Sequence, residues 1–204
     1  SPLNTLSGNY AYSRFNFGAG QPGFISQTAS AIYTHQFNRA LSMSLSAGPQ
    51  WTSSYNTAQN TTSLNAAANA SLSYASKFST AALSYARSTN SGYGVVLGAR
   101  SDSVQFLASR SFARVWNSAF TSSYSHTAVL PFVGNLPFST NTTVASVQIA
   151  RALARSLSAY ASYTVENQST SGTPNAAVNA FSGTFQVVGL GITYSPTSIH
   201  LGHQ

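Results

Sequence analysis

Leu41-Ser42-Met43-Ser44-Leu45-Ser46-Ala47-Gly48 is the stretch that decides the fold class. Its apolar side chains recur at every second residue and hydroxyls fill the gaps. A strand sends such a period of two to opposite faces, whereas a helix scatters it around its axis. The alternation returns at Leu64, Ala66, Ala68, Ala70, Leu72 and Tyr74. It appears again at Val188, Leu190, Ile192 and Tyr194, with Gly189, Gly191 and Thr193 on the other face.

Basic and aromatic marks separate these runs. Arg110-Ser111-Phe112-Ala113-Arg114-Val115-Trp116 shares its skeleton with His35-Gln36-Phe37-Asn38-Arg39-Ala40-Leu41 and Arg151-Ala152-Leu153-Ala154-Arg155-Ser156-Leu157, and Lys77-Phe78 is a reduced copy. Arg39, Lys77, Arg114 and Arg155 follow one another at intervals of 38, 37 and 41 residues, which is a repeat period. Because the intervening runs alternate in twos, the repeat unit is a long β-hairpin.

Length and composition narrow the class. At 204 residues the chain is one domain with room for a large core. Only 5% of it is charged and its acids are Asp102 and Glu166, against about 25% charged residues in soluble domains. Ser, Thr, Asn and Ala interrupt every apolar run well short of the roughly 18 residues of a membrane helix. Scarce charge, a mean hydropathy of -0.03 and strict alternation coincide when one face of each strand meets lipid and the other a polar interior. The net charge of +7 reflects missing acids rather than a dense patch of the nine Lys and Arg, so no nucleic-acid partner is expected. The absence of Cys fits an exported protein without a disulfide framework. With no visible leader and no initial Met, a mature or trimmed product is expected.

Strands are expected at about 6–17, 24–37, from 41, 64–74, from 81, 103–112, 115–126, 143–153, 156–166 and 184–194. Gly18 to Gly23, Ser53 to Asn60, Thr127 to Asn141 and Asn167 to Gly183 read as loops. In Thr89 to Asp102, Tyr93, Val95 and Leu97 suit a short strand while Gly92, Gly94 and Gly98 suit a loop, and the count of chain reversals favours one long loop. The first strand has Tyr10, Tyr12 and Arg14 on one face and Phe15 and Phe17 on the other, leaving its facing open. About ten strands of membrane-crossing length result, and an even number closes an antiparallel barrel with both termini on one side.

Through this periodicity, and through tight turns at the basic marks alternating with longer loops near 20, 56, 95, 134 and 175, the chain resembles the bacterial outer-membrane β-barrel superfamily. The resemblance covers nearly the full length and rests on no specific motif. It implies an all-β, antiparallel up-and-down transmembrane barrel over residues 1–194, with both termini periplasmic and a C-terminal tail at 195–204. It also implies a strand ending on an aromatic residue, here Tyr194, although the tail follows it.

Arg39, Lys77, Arg110, Arg114, Arg151 and Arg155 fall at the proposed periplasmic turns. They form either a basic rim for lipid phosphates or an acidic partner, or cations snorkelling where strands leave the hydrocarbon. Tyr74, Tyr85, Trp116, Tyr124, Tyr163 and Tyr194 read as an aromatic girdle. The segment 127–141 is too apolar for a solvated loop. Val129, Leu130, Phe132, Val133, Leu136 and Phe138 therefore line either a lid over the mouth or an interface with a protein partner or a second copy.

For catalysis, His126 with Ser125 and Asn117 or Asn141 is the one conceivable constellation, and an Asp102–Glu166 dyad needs the loops to bring the two together. His200-Leu201-Gly202-His203 is a metal half-site at most. No enzyme, cofactor or metal is expected. The expectation is a non-enzymatic scaffold or anchor, or a narrow pore for small solutes, in the bacterial outer membrane. The alternative is a surface fibre or adhesin of β-hairpin repeats.

Overall fold

The computed structural model describes residues 3–17, 23–55, 62–90, 98–130, 138–172 and 182–195. Ten antiparallel strands form one up-and-down sheet: β1 (Asn4–Phe15), β2 (Gly23–Gln36), β3 (Leu41–Tyr55), β4 (Thr62–Ala75), β5 (Ser79–Asn90), β6 (Ala99–Phe112), β7 (Trp116–Val129), β8 (Phe138–Ala154), β9 (Leu157–Gly172) and β10 (Gly183–Tyr194).

Small polar residues close the turns at the basic marks. Asn38 Oδ1 accepts from the backbone N–H groups of Ala40 and Leu41, and Ser76 Oγ bonds the backbone of Ser79, so each side chain bends the chain back on itself. The β6–β7 turn is different. Ala113 and Arg114 take φ of 51° and 60° there, a left-handed conformation that costs a non-Gly residue about 1–2 kcal/mol.

Alternation fixes the faces, and their chemistry is the reverse of a soluble sheet. On β3 the buried side chains are Gln50, Thr52 and Ser54, while Trp51 between the first two and Leu45 on the same face as Trp51 are exposed. The register carries this across the sheet. Leu45 lies beside Tyr33 and Ala70 and leads on to Tyr85, Val104 and Tyr124 on the outward face, while Ser44 lies beside Thr34 and Ser71 on the inward face. The open facing of the first strand is now assigned: Leu6, Tyr10, Tyr12 and Arg14 share the outward face with Tyr33, and Phe15 turns inward opposite Phe24. Buried apolar side chains among the described residues are Phe24, Ala67, Ala99 and Leu130, whereas Leu6 and Leu190 are 76% and 79% exposed.

Three expectations need correction. The sheet is not closed into a barrel in this structure: each strand pairs with its sequence neighbours, and β1 and β10 are not paired with each other. Hairpin turns hold every other pair together, but no turn enforces this one, so patterning alone does not fix it. Second, several strands run past the expected loop borders, with β3 reaching Tyr55, β6 starting at Ala99, β7 reaching Val129, β8 starting at Phe138 and β9 reaching Gly172. Ser and Thr read as loop by composition, yet they pair well across a ladder, as Ser139 does with Ser171 at 2.8 Å. Third, Gly98 to Asp102 belongs largely to β6, while the ambiguous 93–97 lies outside the described residues, as do most of the 195–204 tail and His200 and His203.

At Gly48 and Pro49 the sheet changes character. The β2–β3 pairing runs Gly23 to Thr28 and resumes at Ala31, skipping the two positions opposite Gly48 and Pro49. Pro49 has no N–H to give the ladder, and a Cβ on Gly48 would overlap the Ala29 carbonyl oxygen. The backbones therefore approach closely here, where the ladder is interrupted. β4 and β5 pair only up to Ala68 and Arg87. Above that level Thr89 Oγ1 leaves its neighbour and donates to Gln50 Oε1 of β3 at 2.8 Å.

Candidate functional site

The basic rim is assembled by the turns. Arg39, Lys77, Arg114 and Arg155 lie in the β2–β3, β4–β5, β6–β7 and β8–β9 turns, Arg110 stands opposite Ser79 and Ser118, and Arg151 opposite Trp116. All six sit at one end of the sheet. The Arg151 guanidinium lies 5.3 Å from the Trp116 ring and the Lys77 ammonium 5.2 Å from the Phe78 ring, cation–π contacts that keep long side chains close to aromatic surface. Neither acid reaches this end: Asp102 stands opposite Arg87 and His126, and Glu166 opposite Val144 and Phe185. Among the described residues the rim is thus a line of cations without carboxylates.

All six expected girdle aromatics lie on the outward face. Tyr74, Trp116 and Tyr194 stand at the turn end, Tyr85 and Tyr124 higher, and Tyr163 between Val147 and Val188, away from either border. The hydroxyls carry more information than the rings. Tyr85 donates to Asp102 Oδ1 at 2.9 Å, Tyr124 to Asn141 Oδ1 at 3.0 Å and Tyr10 to Gln27 Oε1 at 3.0 Å, each toward the outer end. At the other border Tyr33 donates to Asn4 Oδ1 at 3.0 Å, toward the basic end. Between these borders the outward rows are apolar, for example Ala108, Phe120, Val147, Tyr163 and Val188 in register. Beyond the outer border comes the row Arg87, Asp102, His126 and Asn141, in which Arg87 Nε lies 3.6 Å from Asp102 Oδ1. Sequence reasoning missed Tyr10 because the facing of the first strand was open, and it missed Tyr33 because no facing was assigned to the second.

At the end of the sheet opposite the basic turns, Leu130 and Phe24 form the buried cluster, with Phe15 and Phe17 packed against them, and Phe15 stacks on Phe24 at 4.5 Å. Phe24 also covers the bare Cα of Gly98, whose φ of +77° suits glycine. Beneath this cap Gln50 donates to Ser26 at 3.0 Å and accepts from Thr89, with Thr52 0% exposed beside them. Of the expected lid or interface residues, Val129 ends β7, Leu130 is in the cap and Phe138 begins β8, while Phe132, Val133 and Leu136 lie outside the described residues. The segment is therefore strand at both ends, and what it shares with the mouth is Leu130. Phe24 and the Gln50 network were missed by sequence reasoning. The available signal was a large aromatic on a face of β2 that otherwise carries hydroxyls up to Ser30.

The conceivable catalytic groups separate. Strand alternation sends Ser125 and His126 to opposite faces, and Asn117 accepts from Ser111 at 2.6 Å near the basic end. His126 Nδ1 meets Asn141 Oδ1 at 2.7 Å without a nucleophile in line. Asp102 faces outward on β6 and Glu166 inward on β9, so they form no dyad. Among the described residues no three His, Asp or Glu gather in metal-binding range. Comparison with protein-family models finds no match, and comparison with the curated proteins finds none either.

Proposed function

We propose that this sheet is the wall of a transmembrane β-barrel of the bacterial outer-membrane type, acting as a non-enzymatic membrane scaffold or anchor with an occluded outer mouth. The observation that carries the reading is the outward apolar band bounded by tyrosines whose hydroxyls point away from it at both borders. An aromatic ring placed at a lipid–water boundary with its polar tip in the wet side is the arrangement that belt residues adopt. From Trp116 to Tyr124 the band spans about 26 Å along the strand, or about 20 Å at a tilt near 40°, close to the height of an outer-membrane hydrocarbon layer. The carboxylate-free basic rim fits lipid phosphates on the inner side, and the expected partner contact through residues 127–141 fits the outer side.

A narrow pore is the second reading. An open-sided pocket of about 420 Å³ near the basic end is lined by Thr5, Thr34, Ser42, Ser44, Ser71 and Ser73 together with Leu3, His35, Gln36 and Met43, and its hydroxyls suit a small polar solute. The cap of Phe24 and Leu130 favours the scaffold over an open channel. The fibre reading suits a flat stacking sheet poorly matched by this curvature. The test is detergent dependence together with gel migration in SDS before and after boiling. Retention in membranes and a heat-dependent shift are expected, since a closed hydrogen-bonded sheet resists SDS in the cold. Solubility in plain buffer with identical migration overturns the proposal.

A further inference from the structure

The two free edges of the sheet are complementary. Leu3 O accepts from Gln36 N, so the odd residues of β1 bond β2 and the even ones turn their N–H and C=O groups to the open edge. Ser195 N donates to Ser156 O, so on β10 the odd residues bond β9 and the even ones again serve the open edge. On both strands the even residues face outward: Leu6, Tyr10 and Tyr12 on one, Val188, Leu190, Ile192 and Tyr194 on the other. Zipping the edges antiparallel therefore matches hydrogen-bonding residue to hydrogen-bonding residue and outward face to outward face. An odd offset would mismatch the faces.

The turns set the offset. From Asn4 the register runs through His35 to Met43, two residues into β3. From Leu41 it runs through Tyr74 to Ala81, two into β5; from Ser79 through Arg110 to Ser118, two into β7; and from Trp116 through Arg151 to Ala159, two into β9. Every hairpin steps by the same amount. One more step takes Leu157 through Tyr194 to Leu6, two residues into β1. Five steps of two give a stagger of ten residues over ten strands, which corresponds to a tilt of about 35°, at the edge of the range that barrels adopt. The curvature agrees, because Phe24 of β2 already meets Leu130 at the end of β7, and strands five apart stand opposite one another in a ring of ten.

We infer that β1 and β10 of the same chain pair along a seam in the register Leu6 to Tyr194, Tyr10 to Leu190 and Phe15 to Phe185. This rests on the barrel reading for its context and on the register for its content. The chain has no Cys, so introduced pairs report cleanly. Ser7 and Thr193 fall opposite each other in this register, facing inward at a non-hydrogen-bonded position, where Cα atoms about 4.5 Å apart suit a disulfide.

The experiment oxidises the full-length S7C/T193C chain, refolded in detergent, beside T5C/T193C and N9C/T193C, each displaced by two residues. S13C/V187C reads the same register higher up and serves if the first pair does not fold. Single-Cys variants and heat-dependent migration report folding. Intramolecular bonding in S7C/T193C and S13C/V187C, on the order of tenfold above the displaced pairs, is the expected result. Preferential bonding of a displaced pair overturns the register. Bonds between two chains, or none in a folded variant, overturn the intramolecular seam. The same intramolecular bond in plain buffer, without membrane retention, leaves the seam standing and removes the membrane reading.

Discussion

Toward the basic end, Ser42 meets Ser73 at 3.1 Å and Thr80 meets Ser109 at 2.7 Å, each on the adjacent strand. At the outer end, Thr89 reaches Gln50 over an intervening strand and Phe24 packs on Leu130 five strands away. The first region is a wall whose side chains follow from alternation and neighbour pairing. The second is a closure, in which the same alternating strands lean inward and find partners that alternation does not supply. Gly48 and Pro49 stand between them. What separates wall from closure is thus a local backbone device, not a change in the polar and apolar pattern.

The sharpest way to break the comparison is at that device. Gly48→Val places a branched side chain against the Ala29 carbonyl, and the expected cost exceeds about 4 kcal/mol. Refolding yield in detergent should collapse, and a wild-type yield would show that the close approach is not required. Next comes Phe24→Ala. Emptying the cap should cost about 3–5 kcal/mol by the usual scale for buried Phe, leave the sheet assembled, and raise single-channel conductance; unchanged stability and conductance would show that the mouth is not closed there. Within the wall, Leu45→Arg should lose about 2–4 kcal/mol if it meets lipid, while Ser44→Arg on the inward face is tolerated. Equal recovery of the two variants in membrane fractions would refute the facing of β3.

How much of this was legible in the sequence follows the same division. The period of two at Leu41 to Gly48, the repeat of the basic marks and the small turn residues Asn38 and Ser76 made the ten antiparallel strands and the single basic end readable, because each depends on residues near in sequence. The outer end was not. Its strands are lengthened by Ser and Thr that composition assigns to loops, and Phe24 acquires its role only when Leu130 arrives from a strand 106 positions later. The proposed pairing of the first and last strands likewise has no local signature. Alternation does sharpen one negative: Ser125 and His126 are neighbours in the chain, and for that reason they cannot share a face.

Smaller effects refine the borders. Tyr85→Phe and Tyr124→Phe should each cost about 1 kcal/mol through the lost hydrogen bond, read as a lower unfolding midpoint in denaturant; no change would mean the hydroxyls do not anchor the outer border. Ala113→Gly should have the opposite sign, since glycine accepts the left-handed backbone of that turn, and stabilise by about 0.5 kcal/mol after its larger unfolded-state entropy is counted. A destabilised variant would show that the turn is relaxed.

The uninterrupted strand order has a kinetic consequence. Every ladder joins strands adjacent in sequence, so each hairpin can form by closing a short loop, and the sheet can grow strand by strand without waiting for distant segments. Among the described residues the Phe24–Leu130 cluster brings together residues far apart in the chain, and the proposed seam would do the same. If the two edges meet as proposed, assembly should show an early phase in which the ladders form and a slower final phase in which β1 and β10 join. Until that step the open sheet keeps two unpaired edges, the form most exposed to pairing with another chain.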